Sequence, residues 1–383
     1  MIVKCGRISV LLLLLCFSPG ALAATNDAAP PAGDFIAGAD VSHCAYFESL
    51  GAHYLDHGRR ADIFSILKSH RVNLVRLRLF TSSDEQAMQS PYDSINNMNY
   101  TLPLAVRATH AGMRWLLDFH YSDYWADSNH QTKPKAWQGL TFFQLEKRMY
   151  EYNRNCIETF RKAGAMPAYV QIGNEISSGL VWPDAETDTP GHWKRLGRLL
   201  KAAIRGVRDG AGAQQPKIII HISSGDQWDV IKAFFDHLHD QGVDYDMIGL
   251  SYFPDPTSKI EDLQTALTNT VARFNRPVVI VETAFPWAQS TAEGDIAEPI
   301  LDIMPGREGQ AKYVQTLCRT MLSLPDGMGA GIVWWGAEYE TIGQLDLNGY
   351  DCSSLFDYAG NALPAMDALG QFATSGPATR QDK

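Results

Sequence analysis

AYVQIGNE, residues 168–175, is an apolar, strand-like run that ends on a carboxylate. Val170 and Ile172 suit a parallel strand that is covered on both faces. An unpaired charge inside such a layer costs several kcal/mol or more. Glu175 is therefore expected at the mouth of the strand, outside its core. PVVIVETA, residues 277–284, repeats the pattern and delivers Glu282. Two strand ends that each carry a carboxylate suit the hydrolysis of a glycosidic bond.

Working outward, six more runs have the same character. They are Phe35–Ser42, Asn73–Phe80, Arg114–Tyr121, Lys217–Ser224, Met247–Pro254 and Gly331–Glu338. Helical spacing fills the gaps, as at Ala61–His70, Pro103–His110, Phe142–Ala163, Trp193–Arg208 and Gln310–Leu322. Eight strands alternating with helices predict an α/β fold, a single (β/α)8 TIM barrel over residues 34–374. A doubly wound open sheet is the weaker alternative, because no glycine-rich phosphate loop follows the first strand. The run Gly327–Gly331 (GMGAG) precedes a strand and is expected to be a turn.

The chain ends suggest export. Lys4 and Arg7 precede the apolar run Ile8–Phe17, and Ala21-Leu22-Ala23 offers a small-residue cleavage site. Residues 1–23 are thus expected to be a signal peptide, 24–33 a linker and 375–383 a disordered tail. The product would be periplasmic or extracellular, with no membrane span after cleavage. A formal net charge of −10 argues against a nucleic-acid partner. A monomer acting on a polymer is expected. Four cysteines follow the leader: Cys44, Cys156, Cys318 and Cys352. Their spacing does not choose a pairing, and Cys156 suits a buried free thiol. No zinc pattern and no serine-nucleophile elbow is present.

Polar residues gather at the strand ends: Asp40, Arg76, Arg78, Asp118, His120, Asn174, Glu175, Ser224, Tyr252, Glu282 and Trp334 or Trp335. A barrel brings all eight ends to one face. Carboxylates on strands four and seven can then face each other across a substrate. A gap of roughly 5–5.5 Å means retention, and one near 9 Å means inversion. Arg76, Arg78 and Tyr252 are candidate donors to an ionised nucleophile. Asn174 reaches the pocket if the strand is bulged, and there bonds a sugar hydroxyl. His120 either bonds a hydroxyl or orients a carboxylate. One of Trp334 and Trp335 should face inward as a floor. Trp125, Trp137, Trp182 and Trp287 lie in rim loops, where each is either a sugar platform or a loop anchor.

The segments DFHYSDYWADSNHQTKPKAW (118–137), QIGNEISSGLVWP (171–183), IGLSYFP (248–254) and VETAFPW (281–287) carry a resemblance. The chain resembles the endo-β-1,4-galactanases of glycoside hydrolase family 53, within a clan of retaining barrels. The resemblance implies that Glu175 is the acid/base, Glu282 the nucleophile and β-1,4-galactan of pectin the substrate. Asp40, Arg76, Arg78, His120, Asn174, Tyr252, Trp287 and Trp335 are the expected substrate-binding residues. SYFPDPTS and WWGAEYE depart from the family's usual SYYP and WEPAW. No cofactor is expected. Asp346, Asn348 and Asp351 are candidate calcium ligands whose spacing matches no recognised loop. The alternatives are a related clan β-glycanase acting on mannan or cellulose, and a galactan-binding barrel without catalysis.

Overall fold

A computed structural model describes residues 35–288, 298–343, 345, 347 and 349–373. The expected leader, linker and tail lie outside these residues, as do Asp346 and Asn348. Eight parallel strands close into a barrel: β1 Ile36–Asp40, β2 Leu74–Leu79, β3 Arg114–Phe119, β4 Tyr169–Ile172, β5 Lys217–Ile222, β6 Met247–Ser251, β7 Val278–Thr283 and β8 Gly329–Trp334. Their order around the barrel is sequential, and β1 pairs with both β2 and β8. All eight expected strands are present. Each ends short of its expected bound, because the last residues turn into the loops of the mouth. GMGAG is only half a turn, since β8 begins at Gly329.

Helices cover the outside: α1 Ile63–Ser69, α2 Met98–His110, α3 Phe142–Lys162, α4 Pro190–Ala211, α5 Trp228–Asp240, α6 Ile260–Phe274, α7 Arg307–Leu322 and α8 Pro364–Gly370. In α3, Thr141 and Gln144 form a capping box, and Leu145, Met149, Cys156, Ile157 and Phe160 make the buried stripe. The second helix starts five residues before its expected bound at Pro103. The Asn97 side chain caps it by accepting from Tyr100 N, a stronger start signal than the proline inside it.

The barrel interior is set by the two-residue period of the strands. Ile36, Leu74, Leu116, Ile219, Met247, Val279 and Val333 pack together as an apolar floor. Two residues on, the same face holds Gly38, Arg76, Asp118, His221, Gly249, Val281 and Trp335. Four residues on, it holds Asp40, Arg78, His120 and Ser251. The barrel therefore changes from apolar to charged within one turn of side chains. Cys44, Cys156, Cys318 and Cys352 are all buried free thiols.

Candidate active site

Arg76 is the hub of the charged layer and is fully buried. Its Nη1 donates to Asp40 Oδ2 at 2.8 Å. Its Nη2 lies 2.8 Å from Asp118 Oδ2, 2.8 Å from Asn174 Oδ1 and 2.7 Å from Glu282 Oε1. Burial works against the guanidinium charge, but Asp118, Glu282 and Asp40 outweigh it and hold Arg76 protonated. Arg78, one period nearer the mouth, does not reach Glu282. It donates to His43 Nδ1 at 2.9 Å, stands 3.6 Å from Asp40 Oδ1 and lies 4.0 Å from the Trp125 ring centroid.

The two glutamates reach the mouth by different local devices. On β4 the strand stops at Ile172, and Gly173 takes φ +87°. A Cβ there would stand 2.5 Å from Ile176 Cγ2, so glycine is required. Glu175 itself adopts φ +47°, a left-handed conformation that costs about 1–2 kcal/mol in a non-glycine residue. This turn, instead of the expected bulge, lets the consecutive Asn174 and Glu175 both line the cleft. On β7, register shifts flank Glu282: one between Leu250 and Ser251 on β6, the other between Ile280 and Thr283 against β8. Val281 already faces inward, so these irregularities turn its neighbour Glu282 inward too.

Glu175, His221 and Glu282 each place one side-chain atom within 4.8 Å of the others. One carboxylate oxygen of each glutamate thus lies within 4.8 Å of the other. The same spacing could hold a cation, but both His221 nitrogens are committed to hydrogen bonds. The glutamates open into a cleft of about 500 Å³. Trp125, Trp335, Tyr92, Phe253 and Tyr350 form its aromatic wall, and Asp127, Ser128 and Asn129 its polar rim.

Burial drives the Glu282 carboxyl up to about 8 against the pull of Arg76, and Glu175, Asp118 and Asp40 push it the same way. Glu175 is also raised, by burial first, while the Ser251 hydroxyl and the Ser128 amide oppose the rise. Two raised carboxyls this close favour holding one proton between them. The rise of Glu282 alone would seat that proton on Glu282, but its ion pair with Arg76 argues for Glu175. Arg76 makes a short charge-assisted contact with Glu282, which favours its carboxylate. Glu175 meets only neutral donors, the Ser251 hydroxyl and a long 3.4 Å contact from Ser128 N, and has the negative Asp127 nearby.

Several expected substrate-binding residues lie beneath the cleft surface. Asp40, Arg76, Arg78 and His120 are all but completely buried, because each continues the inward stripe of its strand below the aromatic wall. His120 accepts from Ala126 N at its Nδ1 and points Nε2 at Asp118 Oδ2, 2.9 Å away. It orients a carboxylate and does not meet the cleft. Burial lowers its pKa and keeps it neutral. Asn174 lines the cleft, yet its Oδ1 takes Arg76 and its Nδ2 donates to Ala126 O at 2.8 Å.

Tyr252 is a correction. Ser251 faces inward, so its neighbour Tyr252 turns outward and joins the core between strands and helices. Its buried hydroxyl has no hydrogen-bond partner among the described residues, and burial first, then Asp226, Asp255, Asp262 and Glu261, oppose its ionisation. Trp287 is another. Its indole donates to Asp351 O at 3.1 Å and its ring packs on Tyr358, which makes it a loop anchor. Trp137 is likewise buried, and Trp182 donates to Ser178 O. Trp335 lines the cleft as the inward member of its pair, while Trp334 is buried against Tyr313. Of the calcium candidates only Asp351 is described, and its carboxylate accepts from Thr341 Oγ1.

The sequence reading passed over His221, Ser251, Gln171 and Glu338. The two-residue period was the available signal for the first three, since Ile219, Gly249 and Tyr169 share their faces. Glu338 closed the expected run Gly331–Glu338, but the strand stops at Trp334 and leaves it in the following loop. It is fully buried, and its Oε1 accepts from His43 N at 2.8 Å. Its Oε2 has no hydrogen-bond partner among the described residues. Burial first, then Asp40, pushes its carboxyl up to about 8, with Arg78 opposing.

Comparison with known proteins agrees with the barrel fold. The family described as Glycosyl hydrolase family 53 matches residues 36–369. A probable arabinogalactan endo-β-1,4-galactanase A of Neosartorya fischeri is 33% identical over 306 residues, 78% of this chain and 82% of that one. The solved GH53 catalytic domain of Ignisphaera aggregans superposes with TM-score 0.80 at 31% identity, covering 91% of this chain and 98% of that one. A fungal β-1,4-galactanase structure gives TM-score 0.76 at 28% identity over 87% and 98%. The family match runs from the first barrel strand into the last helix, and this chain belongs to glycosyl hydrolase family 53.

Proposed function

We propose that the protein hydrolyses β-1,4-galactosidic bonds of galactan with retention of configuration. The observation that carries the mechanism is the pair of carboxylate oxygens within 4.8 Å. That gap leaves no room for the water an inverting enzyme holds between carboxyls roughly 6.5–9.5 Å apart. Glu282, charged and held by Arg76, attacks the anomeric carbon. Protonated Glu175 gives its proton to the departing oxygen. As a carboxylate, Glu175 then takes a proton from the water that hydrolyses the galactosyl-enzyme. No step uses a cofactor.

The substrate reading is supported by the galactanase names of the relatives and by the aromatic wall. The test is a digest of galactan, mannan and cellulose, followed by proton NMR of the first products. Galactan cleavage with the β-anomer appearing first is expected. Release from mannan or cellulose alone, or an α-anomer first, overturns the reading. Binding of galactan without release of sugar would favour the non-catalytic alternative. Export to the periplasm or medium rests on residues 1–23 alone, and N-terminal sequencing of the mature protein tests it.

A further inference from the structure

We propose that Ser251, oriented by His221, is a positioning residue that controls the proton on Glu175. The proposal deepens the acid/base reading of Glu175 and rests on it. His221 is fully buried on the inner face of β5. Its Nδ1 lies 2.9 Å from Gln171 Nε2, 3.2 Å from the backbone N of Glu175 and 3.1 Å from Asn174 Oδ1. Two of these are N–H donors, so Nδ1 must be an acceptor and the ring proton sits on Nε2.

Nε2 is 2.8 Å from Ser251 Oγ. The serine oxygen therefore accepts from the imidazole and keeps its own proton for another partner. The carboxyl of Glu175 is the acceptor the proposal assigns to it, since the hydroxyl opposes the rise of that group. One neutral ring thus holds both ends of Glu175: its backbone N–H directly, and its carboxyl through the serine hydroxyl. The backbone contact also supports the left-handed turn that aims Glu175 into the cleft.

The direction of the chain of donors has a chemical consequence. A hydroxyl committed to donating favours the carboxylate form of Glu175, the form that activates water in the second half of the reaction. The charged groups facing Glu175 are Asp127 from the loop after β3, Arg76 from β2 and Glu282 from β7. Asp127 and Glu282 favour its protonated form, and Arg76 opposes them. Ser251 adds a donor without adding charge. Burial, with Arg76 and His120 adding to it, keeps His221 neutral, so the relay does not switch off across the working range.

The test is the pH profile of Ser251→Ala and Ser251→Thr. In Ser251→Ala, Glu175 should hold its proton longer, so the high-pH limb of kcat/KM should move up by about one unit. With an activated aryl β-galactoside, kcat should fall more than kcat/KM, because the step that needs the base slows. Ser251→Thr keeps the hydroxyl and should restore both. A uniform fall with an unmoved limb, or a Thr variant no better than Ala, overturns the proposal. Thermal unfolding of each variant separates these outcomes from misfolding. Glu175→Ala with the same aryl substrate tests the underlying reading separately. Azide should rescue that variant and yield a β-galactosyl azide, and without rescue the acid/base assignment fails whatever Ser251 does.

Discussion

Arg76 Nη2 lies 2.7 Å from Glu282 Oε1, and the same guanidinium also holds Asp40 and Asp118. One cation inside the barrel thus secures a carboxylate at the mouth and two beneath it. Removing it would take the shared cation from three buried acids. Arg76→Met is expected to lower stability by about 3–5 kcal/mol and abolish turnover. Arg76→Lys should recover part of the stability but little activity, since an ammonium cannot reproduce the planar fork. Urea denaturation alongside kcat measurement checks both parts.

The catalytic glutamates should separate by the depth of their loss. Glu175→Gln keeps the shape of the acid and removes its proton, so a drop of about 10²–10⁴-fold in kcat on galactan is expected. Glu282→Ala removes the covalent step and should leave no measurable turnover with the fold intact by circular dichroism. Wild-type activity in Glu282→Ala would falsify its role as nucleophile.

Glu338 offers a stability test that is independent of turnover. Its carboxyl is raised from 4.5 to about 8 in the folded protein. A raised acid stabilises the fold below its unfolded pKa, and that contribution is lost as pH climbs through the folded value. Glu338→Gln cannot ionise and escapes this loss. The Tm of the variant relative to wild type should therefore rise between pH 4.5 and 8 and level off above. Parallel Tm curves over that range would refute the buried-carboxyl account.

Trp335 and Trp287 both end or follow barrel strands, yet their losses should differ in kind. Trp335 lines the cleft between Phe253 and Tyr350. Trp335→Ala should weaken substrate binding by roughly 0.5–1.5 kcal/mol, about two- to tenfold in KM. Trp287→Ala should lower stability by about 3 kcal/mol through lost packing and leave KM nearly unchanged. Steady-state kinetics and denaturant midpoints on the two variants decide between these outcomes.

Much of the site was legible because strands have an unambiguous period. Leu74, Arg76 and Arg78 on one face already told that the interior turns charged toward the mouth. Position along a strand says which level a side chain occupies, but not what lies above it. That is why Arg76, Arg78, Asp40 and His120 were expected on the cleft surface and are found under it. Tyr252 lies in the core because Ser251 takes the inward direction and strand neighbours face opposite ways. Trp287 looked like Trp335 in sequence because indole chemistry is the same on a rim and in an anchor.

The opening run AYVQIGNE, with its seven companions, determined by itself the eight-stranded barrel and the strands that carry Glu175 and Glu282. Hydrophobic period and strand count are local properties, and a closed barrel follows from them. The tertiary structure alone decided the gap between the two carboxylates, the hold of Arg76 on one and the reach of His221 and Ser251 to the other. Those relations join residues from five different strands, and only barrel closure, with a left-handed turn at Glu175 and shifted register beside Glu282, brings them within bonding distance.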